Sequence, residues 1–260
     1  MEPLLTINNL SIKYKEKKGF ALKNICFTLY EGEILGIVGE SGSGKTTLAY
    51  SVLNILPKET HIEGEIIFGK NNLFTLGERD LDNIRGKEIG VVFQEPKAAF
   101  NPVLSIGYQF IEFLKSKLRI KKRSDCFKKI EKLFSKVGLN DTERILKSYP
   151  HQLSGGQLQR TMIAMALSTN PRLLIADEPT SSLDVTIESQ IINLLMRLQK
   201  ELDLTVLFIT HNLALIEILC NQVLVLYEGE IREQTTKDLL FHSPKDIYTK
   251  KLIDSFRKIT

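Results

Sequence analysis

Long hydrophobic runs are missing from this sequence. No stretch approaches the roughly 18 apolar residues that a membrane-spanning helix needs, although 43% of the residues are hydrophobic. The opening residues Met1-Glu2-Pro3-Leu4-Leu5-Thr6 carry no basic region and no extended apolar segment, so no signal peptide is read there. Cysteine is scarce. Its three copies, Cys26, Cys126 and Cys220, stand far apart, each with an apolar residue beside it. An odd count without metal-ligand spacing does not suit a disulfide framework or a zinc cluster, and predicts buried, reduced thiols in a cytosolic protein. Internal repeats, low-complexity tracts and flexible linkers are absent as well. What is left is a 260-residue chain of one domain, or one domain with a subdomain, large enough for a full core.

The net charge of +4 is unevenly spread. Between Lys115 and Lys136 stand ten basic residues against Asp125 and Glu131, so that segment alone is +8. It reads either as the solvated face of a helical region or as a surface facing anionic lipid headgroups or an acidic partner loop. Only two aromatic residues, Phe127 and Phe134, stand among the charges, too few for the platform that single strands require, which argues against nucleic acid as a partner.

Short strands are expected at Leu4–Ile7, Cys26–Leu29 and Ile34–Val38, at Ile66-Ile67-Phe68 between Gly64 and Gly69, and at Ile89–Phe93. Leu173–Ala176, Val206–Ile209 and Val223–Leu226 have the unbroken apolar character of buried parallel strands. Helical spacing governs Ile106–Leu118. A second helix, capped by Ser124 or Asp125, carries Phe127, Ile130, Phe134 and Val137 on one face and stops at Gly138. A third starts after Ser154 and runs towards Pro171. A fourth spans about Thr186 to Lys200. A helical insert of roughly residues 98 to 170 therefore interrupts an α/β core.

Gly39-Glu40-Ser41-Gly42-Ser43-Gly44-Lys45-Thr46 fits G-x-x-x-x-G-K-[ST] without a mismatch. It follows the apolar run Ile34–Val38 and precedes the helix-forming Thr47-Leu48-Ala49-Tyr50, which is the context this motif demands. Glycines let backbone N–H groups converge on a polyphosphate, and the helix N-terminus adds partial positive charge. Lys45 suits the β- and γ-phosphates, and the Thr46 hydroxyl suits Mg²⁺. Leu173-Leu174-Ile175-Ala176-Asp177-Glu178 is an apolar strand ending in two carboxylates. Asp177 fits Mg²⁺, which prefers oxygen ligands. Glu178, one residue on and pointing elsewhere, fits the orientation or deprotonation of an attacking water. His211, after Thr205–Thr210, could stabilise charge on a γ-phosphate. Gln94, after Ile89–Phe93, could offer its side-chain oxygen to Mg²⁺ or water. Between these motifs lies Leu153-Ser154-Gly155-Gly156-Gln157.

Together these residues resemble an ABC transporter ATPase subunit over nearly the whole chain. The resemblance implies an α/β fold: a P-loop NTPase core of RecA-like, mainly parallel sheet, an antiparallel β subdomain, and the inserted helical subdomain at about 98–170, all within one nucleotide-binding domain over residues 1–260. It assigns Gly39 to Thr46 to the Walker A loop, with Thr47 following, Gln94 to the Q-loop, and Leu153 to Gln157 to the signature motif. Leu173 to Asp177 becomes the Walker B strand, Glu178 the catalytic base, Ser181-Ser182-Leu183-Asp184 the D-loop and His211 the switch histidine. Tyr14 is the candidate for stacking on adenine. Phe20 is the alternative, because the charged stretch Lys15 to Lys18 blurs the spacing.

The implied cofactors are ATP and Mg²⁺. The implied partners are a second ATPase subunit, identical or different, two transmembrane permeases and, indirectly, an extracytoplasmic binding protein. The implied location is peripheral, on the cytoplasmic face of the cell membrane. In such a pair the phosphate loop of one subunit faces the signature motif of the other, so Ser154, Gly155, Gly156 and Gln157 would complete the partner's site. Permease contacts are expected from about residues 95 to 110.

A narrower resemblance, to the peptide and nickel importer branch, rests on Val92-Phe93-Gln94-Glu95-Pro96 with Asn101-Pro102, and on Tyr149-Pro150-His151-Gln152. It rests also on Asp177-Glu178-Pro179-Thr180-Ser181-Ser182-Leu183-Asp184-Val185-Thr186, and on Ser243-Pro244 with Ile247-Tyr248-Thr249-Lys250. Position 95 is Glu where Asp is usual, and Asn212 follows the histidine where Asp is common. The sequence ends at Thr260 without the cysteine-containing extension of many oligopeptide importer ATPases, which favours members for nickel or other metal chelates. A phosphate-loop kinase would leave the signature motif and His211 unexplained. A soluble DNA-repair or ribosomal ABC protein would carry a long coiled coil or two cassettes. An exporter shares the core motifs but not the branch-specific segments.

Overall fold

The computed structural model describes residues 2–16 and 18–258; Lys17, within the charged stretch after Tyr14, lies outside them. In chain order the elements are β1 (Pro3–Lys13), β2 (Leu22–Tyr30), β3 (Ile34–Val38), α1 (Lys45–Val52), β4 (His61–Phe68), β5 (Asn71–Asn72), α2 (Glu78–Ile84), β6 (Ile89–Val92) and α3 (Pro96–Ala99). They continue with α4 (Ile106–Leu118), α5 (Arg123–Lys136), α6 (Thr142–Lys147), α7 (Gly155–Leu167), β7 (Leu173–Asp177), α8 (Val185–Leu202) and β8 (Thr205–Thr210). The chain closes with α9 (Leu213–Leu219), β9 (Gln222–Tyr227), β10 (Glu230–Thr236), α10 (Lys237–His242) and α11 (Ile247–Arg257). Two compact units result: residues 2–81 with 203–258, and residues 82–202.

In the first unit, β3 pairs in parallel with β8 and β9, and β10 closes antiparallel on β9. All residues of β3 and β8 are buried. Their unbroken apolar character is what a strand covered on both faces requires. Gly36 lets β3 approach α9: a Cβ there would sit 2.5 Å from Ile216 Cδ1. A second, antiparallel sheet orders β2-β1-β4-β5.

The structure departs from the sequence expectations at one strand and at one thiol. β4 is not bracketed by Gly64 but runs through it from His61. Gly64 takes φ +89, and a Cβ would meet Asn8 O at 2.5 Å and Asn9 O at 2.4 Å. The register shift between Asn8 and Ser11 marks the bulge that this glycine accommodates. Cys26 is exposed, whereas Cys126 and Cys220 are buried. On β2 the side chains alternate, so Ile25 and Phe27 take the core face and Cys26 the other.

In the second unit, β6 and β7 pair in parallel, and helices α3 to α7 fall between residues 96 and 167. α5 buries Cys126, Ile130 and Phe134 at four-residue spacing, with Phe134 against Phe110 of α4 at 5.9 Å. Its outer face carries Lys128, Lys132 and Lys136. On α4, Lys115 pairs with Glu112 and Lys117 with Asp82. The basic segment thus presents a solvated, partly ion-paired face, each such exposed pair contributing little to stability. α5 starts two or three residues earlier than Ser124 or Asp125 would place it. Its N-cap is Lys122, with no side-chain cap hydrogen bond, so hydrophobic spacing rather than capping sets that end. Gly138, at φ +74, follows the helix as a left-handed stop.

Candidate functional site

In the first unit the phosphate-loop residues gather where β3 ends. Register places Val38 opposite Thr210, so Gly39 and His211 leave neighbouring parallel strands at the same level. The ends of such strands are where α/β sheets commonly place ligands. Gly39 has no room for a side chain: a Cβ would lie 2.1 Å from Leu226 O. Gly44, at φ +109, would put one 2.6 Å from Ala21 O, and Gly42 adopts φ +81. The loop is thereby pressed against β9 and the start of β2, with Gly229 N donating to Ser43 O at 3.0 Å.

Lys45 begins α1 and is only 6% exposed. Its Nζ donates to the carbonyls of Gly39 and Glu40, both at 2.8 Å. Glu40 O also accepts from Ser43 N at 3.2 Å. Gly44 is the N-cap of α1 and offers no side chain to its first-turn N–H groups, which suits an anion. Glu40, Ser41 and Thr46 are exposed, and Ser43 is buried. The Tyr14 hydroxyl donates to Thr47 Oγ1 at 3.2 Å, tying the end of β1 to α1. Phe20 is 45% exposed. Asn212, the departure from Asp, caps α9 by accepting from Ala214 N at 3.0 Å, a role either residue can fill.

In the second unit, β6 and β7 run in register with Val92 opposite Ala176. Two residues beyond each lie Gln94 and Glu178, and Gln94 Nε2 donates to Glu178 Oε2 at 3.2 Å. Asp177 ends β7 in the core, 4% exposed. Glu178 turns to φ +44, a left-handed conformation that costs a non-glycine residue about 1–3 kcal/mol. That turn sends the two adjacent carboxylates in different directions.

The signature segment starts α7. Ser154 is its N-cap, with Ser154 Oγ accepting from Gln157 N and Gln157 Oε1 accepting from Ser154 N, both at 3.3 Å. This capping box is written in the Ser-Gly-Gly-Gln spacing and stabilises the helix start by about 1 kcal/mol. Both glycines lie close against neighbouring side chains. A Cβ on Gly155 would sit 3.1 Å from Leu183 Cδ2, and one on Gly156 would sit 2.9 Å from Ile187 Cγ2. Leu183 belongs to the segment Ser181–Asp184, whose Asp184 carboxylate accepts from Ile187 N at 3.0 Å and starts α8.

Sequence reasoning passed over Gln159. It is 1% exposed, and its Nε2 donates to Pro179 O at 2.6 Å. The bond fixes the turn after Glu178 to the helix of the signature motif. Only a polar residue on the buried side of α7 hinted at it.

The ABC transporter profile matches residues 22–181. The oligopeptide transport ATP-binding protein OppD of Bacillus subtilis (strain 168) is 41% identical over 256 residues, covering 97% of this chain and 71% of that one. The metal-staphylopine import system ATP-binding protein CntD of Staphylococcus aureus (strain NCTC 8325 / PS 47) is 37% identical, covering 98% and 94%. Among solved structures, the ATP-binding cassette MJ0796, a dimer in a post-hydrolysis state bound to ADP and Pi, superposes with a TM-score of 0.79 at 31% identity. It covers 90% of this chain and 99% of that one. The expected α/β fold, with a P-loop core and an antiparallel sheet, agrees with these cassettes. From this profile match and this nearly full-length similarity, the chain belongs to the ABC transporter family.

Proposed function

We propose that this protein is the ATP-binding and ATP-hydrolysing subunit of a membrane importer, energising uptake of peptides or of nickel or another metal chelate through partner permeases. The observation that carries it is the phosphate loop. Gly39 and Gly44 leave no room for a side chain, the lysine ammonium is held 2.8 Å from two loop carbonyls, and a helix begins behind it. Such a cradle suits a polyphosphate and little else. The relatives named for oligopeptide and metal-staphylopine import favour the importer branch.

In this reading Gly39 to Thr47 wrap the phosphates, Lys45 neutralises the β- and γ-phosphates, and Tyr14 stacks on adenine. Tyr14 is preferred to Phe20 because its hydroxyl is anchored on α1. Thr46, Gln94 and Asp177 would be the oxygen donors for Mg²⁺, which when bound would supply charge to offset that developing on the phosphates. Among the described residues no cluster of His, Cys, Asp and Glu is arranged to hold a metal by itself. Mg²⁺ that keeps its waters and substrate phosphates needs none. Glu178 takes a proton from the attacking water, Gln94 orients that carboxylate, and His211 contacts the γ-phosphate.

Ser154 to Gln157 serve the nucleotide of a second subunit, as the dimeric cassette at 31% identity suggests. The helical segment of about 98–170 is the part assigned to the permeases, with Val103 and Tyr108 exposed at 75% and 53% in the stretch expected to touch them. No helix among the described residues is long and apolar enough to cross a membrane. Calorimetric titration of the purified chain with ADP and ATP tests the nucleotide reading, and absence of binding would end it. Co-purification of two integral membrane proteins with the tagged chain tests the importer reading, and recovery of the chain in soluble complexes alone would reject it.

A further inference from the structure

The signature helix α7 is tied to two neighbouring helices through a side chain that the nucleotide reading does not use. Arg160 stands one helical turn after Gly156, on the same face of α7. Its Nη1 donates to Val137 O at 2.7 Å and its Nη2 to Gln190 Oε1 at 3.0 Å. Gly156 lies close to Ile187, whose Cγ2 would be 2.9 Å from a Cβ there. Ile187 and Gln190 are themselves one turn apart on α8. α7 therefore meets α8 at two successive levels, one inside the signature segment and one at the guanidinium.

Val137 is the C-cap of α5, and its carbonyl is among those that a helix leaves without an internal partner. Arg197 of α8 donates to the preceding carbonyl, that of Lys136. Cations are favourable at such a helix end, where the dipole is negative. Gly138 turns away at φ +74, and a Cβ there would stand 3.2 Å from Arg160 Nη1. The glycine that stops α5 thus also leaves the guanidinium its place. Burial, and then the nearby Arg197 charge, hold the Arg160 guanidinium below its usual value, yet an arginine stays charged near neutral pH. Between the turn after α5 and the start of α7 lies a cleft of about 360 Å³, bordered by Asn140, Ser154, Gln157 and Arg160 among others. At this level the fork of Arg160 spans from α7 to both α5 and α8, a reach that a planar guanidinium offers and a lysine ammonium does not.

We infer that Arg160 is a positioning residue for the signature segment: anchored on the Val137 carbonyl and on Gln190, it holds the first turn of α7 where Ser154 to Gln157 meet the nucleotide of a second subunit. That role rests on the proposed pair.

The test compares the full chain with Arg160→Met, Arg160→Lys and Gln190→Ala, by ADP titration, thermal melting and ATP turnover over a dilution series. Arg160→Met keeps an apolar stem and removes the donors. It is expected to leave the ADP Kd within about twofold, because ADP is held by the phosphate loop of the same chain. The protein concentration at half-maximal turnover is expected to rise about tenfold, the effect of losing a charge-assisted hydrogen bond. Arg160→Lys keeps the charge without the fork and is expected to recover part of that loss. Gln190→Ala, at an exposed position, removes one of the two contacts and is expected to shift the half-maximal concentration about threefold, with the ADP Kd unaltered. Gln190→Ala is the deciding variant if Arg160→Met does not fold. An unchanged concentration dependence in the deciding variant overturns the role of Arg160. So does a weaker ADP Kd together with a lower melting temperature, which marks a general loss of structure. Wild-type turnover that does not depend on protein concentration overturns the pair and this role with it. A concentration dependence that the wild type and every variant share removes only the role.

Discussion

Gln94 Nε2 donates to Glu178 Oε2 at 3.2 Å, although 84 positions separate the two residues in the chain. The contact follows from the parallel pairing of β6 and β7, which brings both residues out at the same level. It gives Gln94 a task that its spacing does not reveal: fixing the orientation of the carboxylate proposed as base. A Glu178→Gln variant should bind nucleotide as the wild type does and hydrolyse it about 10²–10⁴-fold more slowly, the usual effect of removing a general base. Single-turnover assays alongside ADP titration measure both quantities, and wild-type turnover would remove Glu178 from that role.

Lys45→Ala removes the ammonium held by Gly39 O and Glu40 O. Charge-assisted contacts to phosphate contribute about 1.5–3 kcal/mol each. Affinity for ATP should therefore fall by at least about tenfold, read by direct titration. Retained affinity would count against the loop assignment.

Removing the buried bond between Gln159 and Pro179 O isolates a structural role near the carboxylates. Gln159→Leu leaves that carbonyl without its donor, at a cost of about 1–3 kcal/mol. At about 2–4 °C per kcal/mol for a chain of this size, the melting temperature should drop by about 2–12 °C. An unchanged melting curve would mean that the turn after Glu178 is held by other contacts.

The thiols differ in reactivity in a way that checks the fold. Burial raises the Cys220 thiol to about 12 and raises Cys126 as well. Because the thiolate is the nucleophile, both should stay unlabelled at pH 8 while exposed Cys26 reacts. The sign is fixed: a raised thiol gains thiolate only as pH climbs towards its raised value. Mass spectrometry after brief alkylation should find one modified cysteine in the native protein and three after denaturation.

ATP turnover per subunit should rise with protein concentration, since Ser154 to Gln157 serve the partner's nucleotide in the proposed pair. Constant specific activity across a wide dilution series, with monomers established by light scattering, would contradict shared sites.

The sequence by itself determined the chemistry-bearing segments. The glycine spacing before Lys45 admits a polyphosphate, the apolar run before Asp177 marks a buried strand with a carboxylate at its end, and Ser154 with Gln157 spell a capping box. Each is legible because cause and effect lie within one turn or one strand. Helix α4 was readable from its spacing for the same reason. The start of α5 was not, since Lys122 supplies no cap and burial of Cys126, Ile130 and Phe134 sets its limit. Cys26 misleads because apolar neighbours in sequence alternate across a strand.

Only the tertiary structure decided which distant residues meet. Strand register brings Gln94 to Glu178. Close backbone approach explains why Gly39 must be glycine, since the clash is with Leu226 O, more than half the chain away. The start of α11 is tied to β10 because the Glu233 carboxylate gathers the N–H groups of Lys245 and Asp246. Local patterns fix what a segment can do, while long-range packing of buried polar groups fixes which segments act together.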